Sequence, residues 1–310
     1  MIRTSAPART ALVGNPSDGY GGAVLTMAVD NWGATVELHP IEGEADRFEG
    51  AEGLQQLARA ARARCRREGW PVPAASVAVT SDIPREVGLA GSSAVIVATL
   101  QATALAADID PPDEILPALA LRIETDDLGI PGGLQDRIAQ VHRGVVLCEL
   151  AEDDLLWLDG FEIGAVTRLT PELLPPLAIA WLPTAGESSA TPHSDLRGRW
   201  DRGDATVRAG IARLADLARR AARDLSAGDV GALGPAMTAS YELRAAMMPL
   251  HPSHVGLVEA ARGTGAHVNY SGSGGAVVTT VPTGGLDQLV AAVAPVGASV
   301  ELIRTAGPVG

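Results

Sequence analysis

Glu124 and Asp136 stand on either side of the loop LGIPGGLQD. A carboxylate beside a bound phosphate can hold Mg²⁺, and a second can orient or deprotonate a hydroxyl nucleophile. Most acids in such loops are solvated turn residues, and Asp126 and Asp127 are assigned to that class. Upstream, Gly88-Leu89-Ala90-Gly91-Ser92-Ser93 lies between an expected strand and an expected helix. Glycines let the backbone turn and let an anion come close, while the first helical N–H groups are unpaired and sit at the positive end of the dipole. The same residues also suit a plain glycine turn with a serine N-cap. A third stretch, GNPSDGYGG from Gly14 to Gly22, follows Arg9 and presents Asn15, Ser17, Asp18 and Tyr20. Their directional hydrogen bonds suit sugar hydroxyls, and equally an Asx-turn hairpin. The fourth, Asn269 to Gly275, carries Ser271, Gly272, Ser273 and Gly274 and reads as a hairpin loop or as a clamp over a ligand.

Composition limits the chemistry. All 24 Lys+Arg residues are Arg. A Walker A loop, a Schiff-base lysine and a lysine general base are therefore excluded. Any phosphate chemistry must use Arg, backbone N–H groups and metal. The net charge of −13 argues against a nucleic-acid surface. Cys65 and Cys148 make neither a disulfide framework nor a zinc site, and a reduced, cytoplasmic protein is expected. The N-terminal MIRTSAPARTALVGNP reaches Gly and Pro too soon for a signal-peptide core. No membrane partner is expected, and a monomer or homodimer.

These stretches need elements to hold them. Short strands are expected at Ala11–Val13, Ala23–Val29, Ala34–His39, Ser76–Thr80 and Gly144–Leu150, with helices at Gly53–Arg67, Pro112–Thr125 and Gln135–His142. The arginines of Gly53–Arg67 read as a solvated face. Residues 87–107 carry no charge, but GLAGSS, Thr99, Gln101 and Thr103 make a buried helix the better reading than a membrane span. After the Pro-rich TPELLPP the pattern restarts. Strands are expected at Pro176–Leu182 and Ala298–Ile303, a strand–loop–strand hairpin at His267–Val281, and helices at Ala205–Ser226, Asp229–Met248, His254–Arg262 and Leu286–Val293. The chain is read as α+β, with one domain over 1–170 and a second over 171–310.

The four stretches, in this order, resemble the GHMP kinases, named for galactokinase, homoserine kinase, mevalonate kinase and phosphomevalonate kinase. Ala6-Pro7-Ala8-Arg9-Thr10-Ala11-Leu12-Val13-Gly14-Asn15-Pro16-Ser17-Asp18-Gly19-Tyr20-Gly21-Gly22 keeps the spacing of A-P-x-R-x-x-L-x-G-E-H-x-D-Y-x-G-G. Pro84 to Ala94 is similar to P-x-x-x-G-L-G-S-S-A with one inserted residue. Gly132-Gly133-Leu134-Gln135-Asp136 is similar to the family's G-x-x-D, and Gly265-Ala266 with Ser271–Gly275 to its C-terminal glycine motif. Within the family, GNPSDGY, PREVGLAGSSA, GLQDRIAQV and the segment Pro192-His193-Ser194-Asp195-Leu196-Arg197-Gly198-Arg199-Trp200 look most like glucuronokinases. That last segment also reads as a surface helix start.

The resemblance implies an N-terminal domain like that of ribosomal protein S5, a ferredoxin-like C-terminal domain, and an active site between them. It implies ATP over Gly88–Ser93, and Mg²⁺ held by Ser93 (or Ser92) and Glu124. Asp136 would face the anomeric hydroxyl of a sugar and Arg9 the transferring phosphoryl group. Asn15 and Asp18 would hold sugar hydroxyls, with Ser17 and Tyr20 beside them, and Ser271–Gly274 would close over phosphates or acceptor. A uronic acid would also need a cation for its carboxylate, with Arg197 and Arg199 as candidates. Another kinase of the family and a catalytically silent sugar binder are the competing expectations. A dinucleotide-binding oxidoreductase is disfavoured, because GLAGSS is not G-x-G-x-x-G.

Overall fold

The computed structural model describes residues 1–151, 156–158, 160–183 and 190–305, with the side chains of 156–157 and 190–194 outside the description. His193 of the segment singled out above is among those side chains. The chain forms an α+β structure around two main sheets.

Strands β1 (Ile2–Val13) and β2 (Ala23–Pro40) form one long antiparallel pair. The two strands expected at 23–29 and 34–39 are thus a single strand. The interruption between them is a bulge, since Pro7 pairs with Gly33 but Ala8 pairs with Val29. The extra residues Asp30–Trp32 are used. Asn31 donates to Glu301 Oε2 (3.0 Å) and to the Leu302 carbonyl (2.9 Å), and Trp32 meets Trp181 edge-on. A bulge that re-aims side chains here ties the first sheet to the second.

The first sheet runs β3 (Arg47–Glu49), β4 (Ala75–Ser81), β2, β5 (Val145–Glu149), β8 (Ala165–Leu169), with β1 also on β2. A separate hairpin pairs β6 (Leu156–Leu158) with β7 (Phe161–Ile163). The second sheet runs β10 (Val268–Tyr270), β11 (Ala276–Thr280), β9 (Leu177–Trp181), β12 (Ser299–Leu302), all antiparallel. The chain changes sheets between β8 and β9.

Residues 6–13 and 23–29 are buried without alternation, as expected of strands covered on both faces. α2 (Gly91–Ala106) and α4 (Gln135–His142) pack on this pair, and so do α6 (Ala205–Ser226) and α7 (Leu233–Met247) from the second half. α2 is the uncharged stretch read as a buried helix, and Ala94–Leu100 are all buried. No helix among the described residues is long and apolar enough to cross a membrane.

α1 (Glu52–Arg67) does not present all its arginines to solvent. Arg62 is fully buried on Asp46, and Arg64 and Arg67 hold Asp127. Asp127 is therefore not a solvated turn acid, whereas Asp126 is exposed. α3 (Ile115–Arg122) ends earlier than expected and widens into one π-helical turn, Ile123–Asp127. That turn separates the two acids, with Asp127 toward α1 and Glu124 fully buried toward α2. Such single-turn widenings often mark functional sites. The remaining helices are α5 (Ala190–Asp201), α8 (Pro252–Arg262) and α9 (Gly285–Val293).

Candidate active site

The glycine loop closes on the start of α2. Ala90, the residue before the helix, is left-handed at φ 60°, and neither serine caps the helix. Instead Ser92 Oγ donates to Glu124 Oε1 (2.8 Å), and Ser93 Oγ lies 3.3 and 3.2 Å from the two Glu124 oxygens. The N-cap alternative is thereby set aside. The serine hydroxyls turn to the acid rather than to the first helical N–H groups, which lie at the positive end of the helix, where an anion is favoured. Gln140 Nε2 donates to the Ala90 carbonyl (2.9 Å) and fixes the turn from behind.

α4 begins at the same place. Its second residue, Asp136, accepts from Arg9 Nε at 2.6 Å. Arg9 Nη1 also donates to the carbonyls of Gly88 (2.8 Å) and Ser271 (2.6 Å), so one guanidinium joins β1, the α2 loop, α4 and the C-terminal glycine loop. Arg9 has a side chain only 5% exposed, while Asp136 keeps 18% of its side chain open. Arg137, the next residue, ion-pairs with Glu124 and donates to the Gly133 carbonyl. Its Nη1 lies 3.7 Å from Asp136 Oδ2. Burial, followed by the nearby Arg9 charge, pushes the Arg137 guanidinium down to about 9. It remains a cation at neutral pH.

On the other side of Asp136 sit Asn15, Gln135 and Asp18. Gln135 Nε2 donates to Asn15 Oδ1 (3.2 Å) and Asp18 Oδ1 (2.9 Å), and Asn15 Nδ2 donates to the Gly272 carbonyl (3.1 Å). Burial, then the charge of Asp136, raises the Asp18 carboxyl to about 6. The two glycines of IPGGLQD are spatial necessities. A Cβ on Gly133 would run into Asp18 Oδ2, and one on Gly132 would lie 2.8 Å from Arg137 Nη2. Gly272 is equally constrained, since a Cβ there would meet the Gly88 carbonyl and lie 2.8 Å from both Arg9 Nη atoms. Ser271 Oγ is buried without a partner among the described residues. Such an atom costs free energy unless something binds it.

The expected residues therefore fall into three groups. Arg9, Asn15, Asp18, Gly88, Ser92, Ser93, Glu124, Asp136, Ser271, Gly272, Ser273 and Gly274 are linked by direct contacts or as chain neighbours, with Leu89, Ala90 and Gly91 in the loop between. Tyr20 and Arg197 form a rim, with the Arg197 guanidinium 4.5 Å over the Tyr20 ring and donating to the Gly19 carbonyl (2.6 Å). Ser17 and Arg199 are engaged elsewhere. Ser17 is buried and donates to the Ala23 carbonyl (2.7 Å), which closes its own turn. Arg199 donates to Asp204 Oδ2 (2.9 Å) and the Met247 carbonyl (2.6 Å), locking the start of α6 to the end of α7. Gln135, Arg137 and Arg244, the last donating from α7 to the Gly272 and Ser273 carbonyls, are members that sequence reasoning missed. Arg137 had one signal, a cation directly beside the expected base at a helix start. Gln135 and Arg244 had none, because their roles arise from contacts across the fold.

Nucleotide phosphates fit a helix N-terminus flanked by an Arg-held aspartate, and an alcohol fits the Asn/Gln/Asp trio beside it. The arrangement is that of a small-molecule phosphotransferase. Residues 55–144 match the GHMP kinases N terminal domain. The probable glucuronokinase 2 of Arabidopsis thaliana is 30% identical, over 89% of this chain and 83% of its own length. Glucuronokinase 1 of the same plant is 28% identical, over 89% and 84%. Among solved structures, the galactokinase of Lactococcus lactis complexed with galactose superposes with a TM-score of 0.78 at 16% identity, covering 98% of this chain and 93% of that one. The chain belongs to the GHMP kinases.

Proposed function

We propose that this ATP-dependent sugar kinase transfers the γ-phosphoryl group of ATP to the anomeric hydroxyl of glucuronate, giving glucuronate 1-phosphate. The observation that carries the reading is the position of Asp136. One of its oxygens is fixed by Arg9 at 2.6 Å, and the side chain stays partly open between the α2 loop and the Asn15–Gln135–Asp18 trio. The choice of a uronate is supported by the two plant relatives' names.

Phosphoryl transfer demands alignment and charge neutralisation more than covalent chemistry. The N–H groups at the start of α2 receive the phosphates. Asp18 and Asn15, with Gln135 setting their orientation, accept from and donate to the ring hydroxyls. Asp136 accepts the proton of the attacking anomeric hydroxyl. Arg9 holds Asp136 in place and offsets charge on the transferring group. Ser92, Ser93 and Glu124 converge as oxygen donors of the kind that suits Mg²⁺, and Glu124 would have to share its carboxylate between the metal and the Arg137 guanidinium. Bound there, the metal would neutralise the β- and γ-phosphate oxygens. The switch of sheets between β8 and β9 supports 1–170 and 171–310 as the two domains.

The test is ADP release with ATP and Mg²⁺ over glucuronate, galacturonate, glucose and galactose. Turnover of glucuronate well above glucose is expected. Turnover of neutral sugars alone would retain the kinase and remove the uronate.

A further inference from the structure

Four arginines are buried: Arg9, Arg62, Arg137 and Arg244. Three face an acid at contact distance, Arg9 with Asp136, Arg62 with Asp46 and Arg137 with Glu124. Arg244, on α7 and 1% exposed, has no ion pair among the described residues. Its guanidinium donates from Nη1 to the Gly272 carbonyl (2.7 Å) and from Nη2 to the Ser273 carbonyl (3.2 Å). It lies 4.6 Å over the Tyr270 ring, and its Nε has no partner. Burial pushes its titration down to about 10, so it is a cation at neutral pH. A buried cation without a counter-ion is costly. The two carbonyls, the Tyr270 ring and the more distant Asp18 offset part of that cost, and an anionic ligand would offset more.

The position says which ligand. Asn15 Nδ2 and Arg244 Nη1 donate to the same Gly272 carbonyl, and Asn15 leads through Gln135 to Asp18. Arg244 is thus on the hydroxyl-reading side of the glycine loop. Arg9, also beside Gly272, is committed to Asp136 and to the Gly88 and Ser271 carbonyls that border the phosphate loop. A hexuronate carries its carboxylate across the ring from its anomeric hydroxyl, so its two ends need two separate groups. We propose that Arg244 binds the carboxylate of the acceptor and sets the preference for a uronate over the neutral hexose, an assignment that rests on the uronate reading above. Arg197 and Arg199 are less suited. The first is exposed at the rim over Tyr20, and the second is already paired with Asp204. Ser240, one turn before Arg244 on α7, accepts from the Gly14 N–H (3.1 Å) and from Asn269 Nδ2 (3.2 Å). One face of α7 therefore supports both sugar-side loops.

The experiment compares the wild-type chain with Arg244→Met and Arg244→Lys, measuring kcat and KM for glucuronate, glucose and ATP. For Arg244→Met, kcat/KM for glucuronate should fall roughly 100-fold, mostly through KM, as loss of a charged hydrogen-bond pair implies. Its kcat/KM for glucose should fall far less, since glucose presents no carboxylate, so that the glucuronate-to-glucose ratio drops by at least about tenfold, and KM for ATP is the control for the nucleotide side. Arg244→Lys keeps the charge without the fork and should fall between the two. If Arg244→Met does not fold, the same selectivity ratio read on Arg244→Lys decides. Equal losses on glucuronate and glucose would overturn the proposal and make Arg244 a support of the loop. A raised KM for ATP with selectivity intact would assign it to the nucleotide instead and equally overturn it. A wild-type chain that phosphorylates only neutral sugars removes the uronate reading and this proposal together. Unchanged selectivity in the variants of a glucuronate-preferring enzyme removes this proposal alone.

Discussion

Two buried arginines in this molecule each hold an aspartate, and the two acids differ in how fully they are occupied. In the first, Arg62 meets Asp46 through Nε (2.9 Å) and Nη2 (2.8 Å), and Nη2 also reaches the Pro73 carbonyl. Asp46 further accepts from Arg66 (2.8 Å) and from the Ala75 N–H (3.0 Å). Burial would raise the Asp46 carboxyl, but the hydrogen bonds from Arg62 and Arg66 outweigh it and hold the group below its ordinary value. In the second, Arg9 gives Asp136 a single short bond, and among the described residues the other carboxylate oxygen has only Arg137, at 3.7 Å. A saturated pair stabilises a fold. An unsaturated one, partly open to solvent, keeps a lone pair free, as the proposed proton transfer to Asp136 requires. The number of partners on the acid, more than its burial, is what distinguishes the two pairs.

The sharpest way to break the comparison is Asp136→Asn. It should lower kcat by roughly 10³-fold, about 4 kcal/mol, while ATP affinity measured by calorimetry is unchanged. Normal turnover would remove Asp136 from the proton transfer. Asp46→Ala should do the reverse and destabilise the chain by about 3 kcal/mol, because Arg62 is left buried without its acid. Chemical denaturation would read that loss, and KM values should not move. Next comes Gly133→Ala. Its methyl group displaces Asp18, so KM for the acceptor should rise about tenfold and stability fall by about 1–3 kcal/mol, as for other overpacked positions.

The smallest effect concerns pH. Asp18 is raised from 3.8 to about 6, so between those values the folded chain binds a proton that the unfolded chain has released. Stability therefore declines as pH rises through that window, by about 1–2 kcal/mol after allowance for solvent. Asp18→Asn should flatten the decline in melting curves taken from pH 4 to 7. Sugar affinity in the unmodified chain should improve over the same range, because the ionised carboxylate is the better acceptor.

Much of this site was legible from residue order. Arg9, Asn15 and Asp18 lie close together in the chain, as do Gly88 to Ser93, and each group is held by one turn. The helix expected over Gln135–His142 formed with those bounds, because its periodicity and its glycine-rich approach are local signals. Asp127 was misread for the opposite reason. Its partners Arg64 and Arg67 belong to a distant helix, and only a π-helical turn directs it there while Glu124 turns inward. Ser17 and Arg199 show the same limit. Both are polar residues in suggestive stretches, and both are consumed by backbone carbonyls and a capping acid that no spacing announces.

By itself the sequence determined the chemistry available: arginine in place of lysine, oxygen donors for a metal, glycines for an anion, and carboxylates for a proton. These follow from residue types and from groups closed by short loops. Which of two similar ion pairs stays open, which of several arginines lacks an acid, and which glycines face a side chain were decided only by tertiary structure. Those properties depend on what arrives from hundreds of residues away, as when Arg244 and the loop from Ser271 meet Asn15 over Gly272.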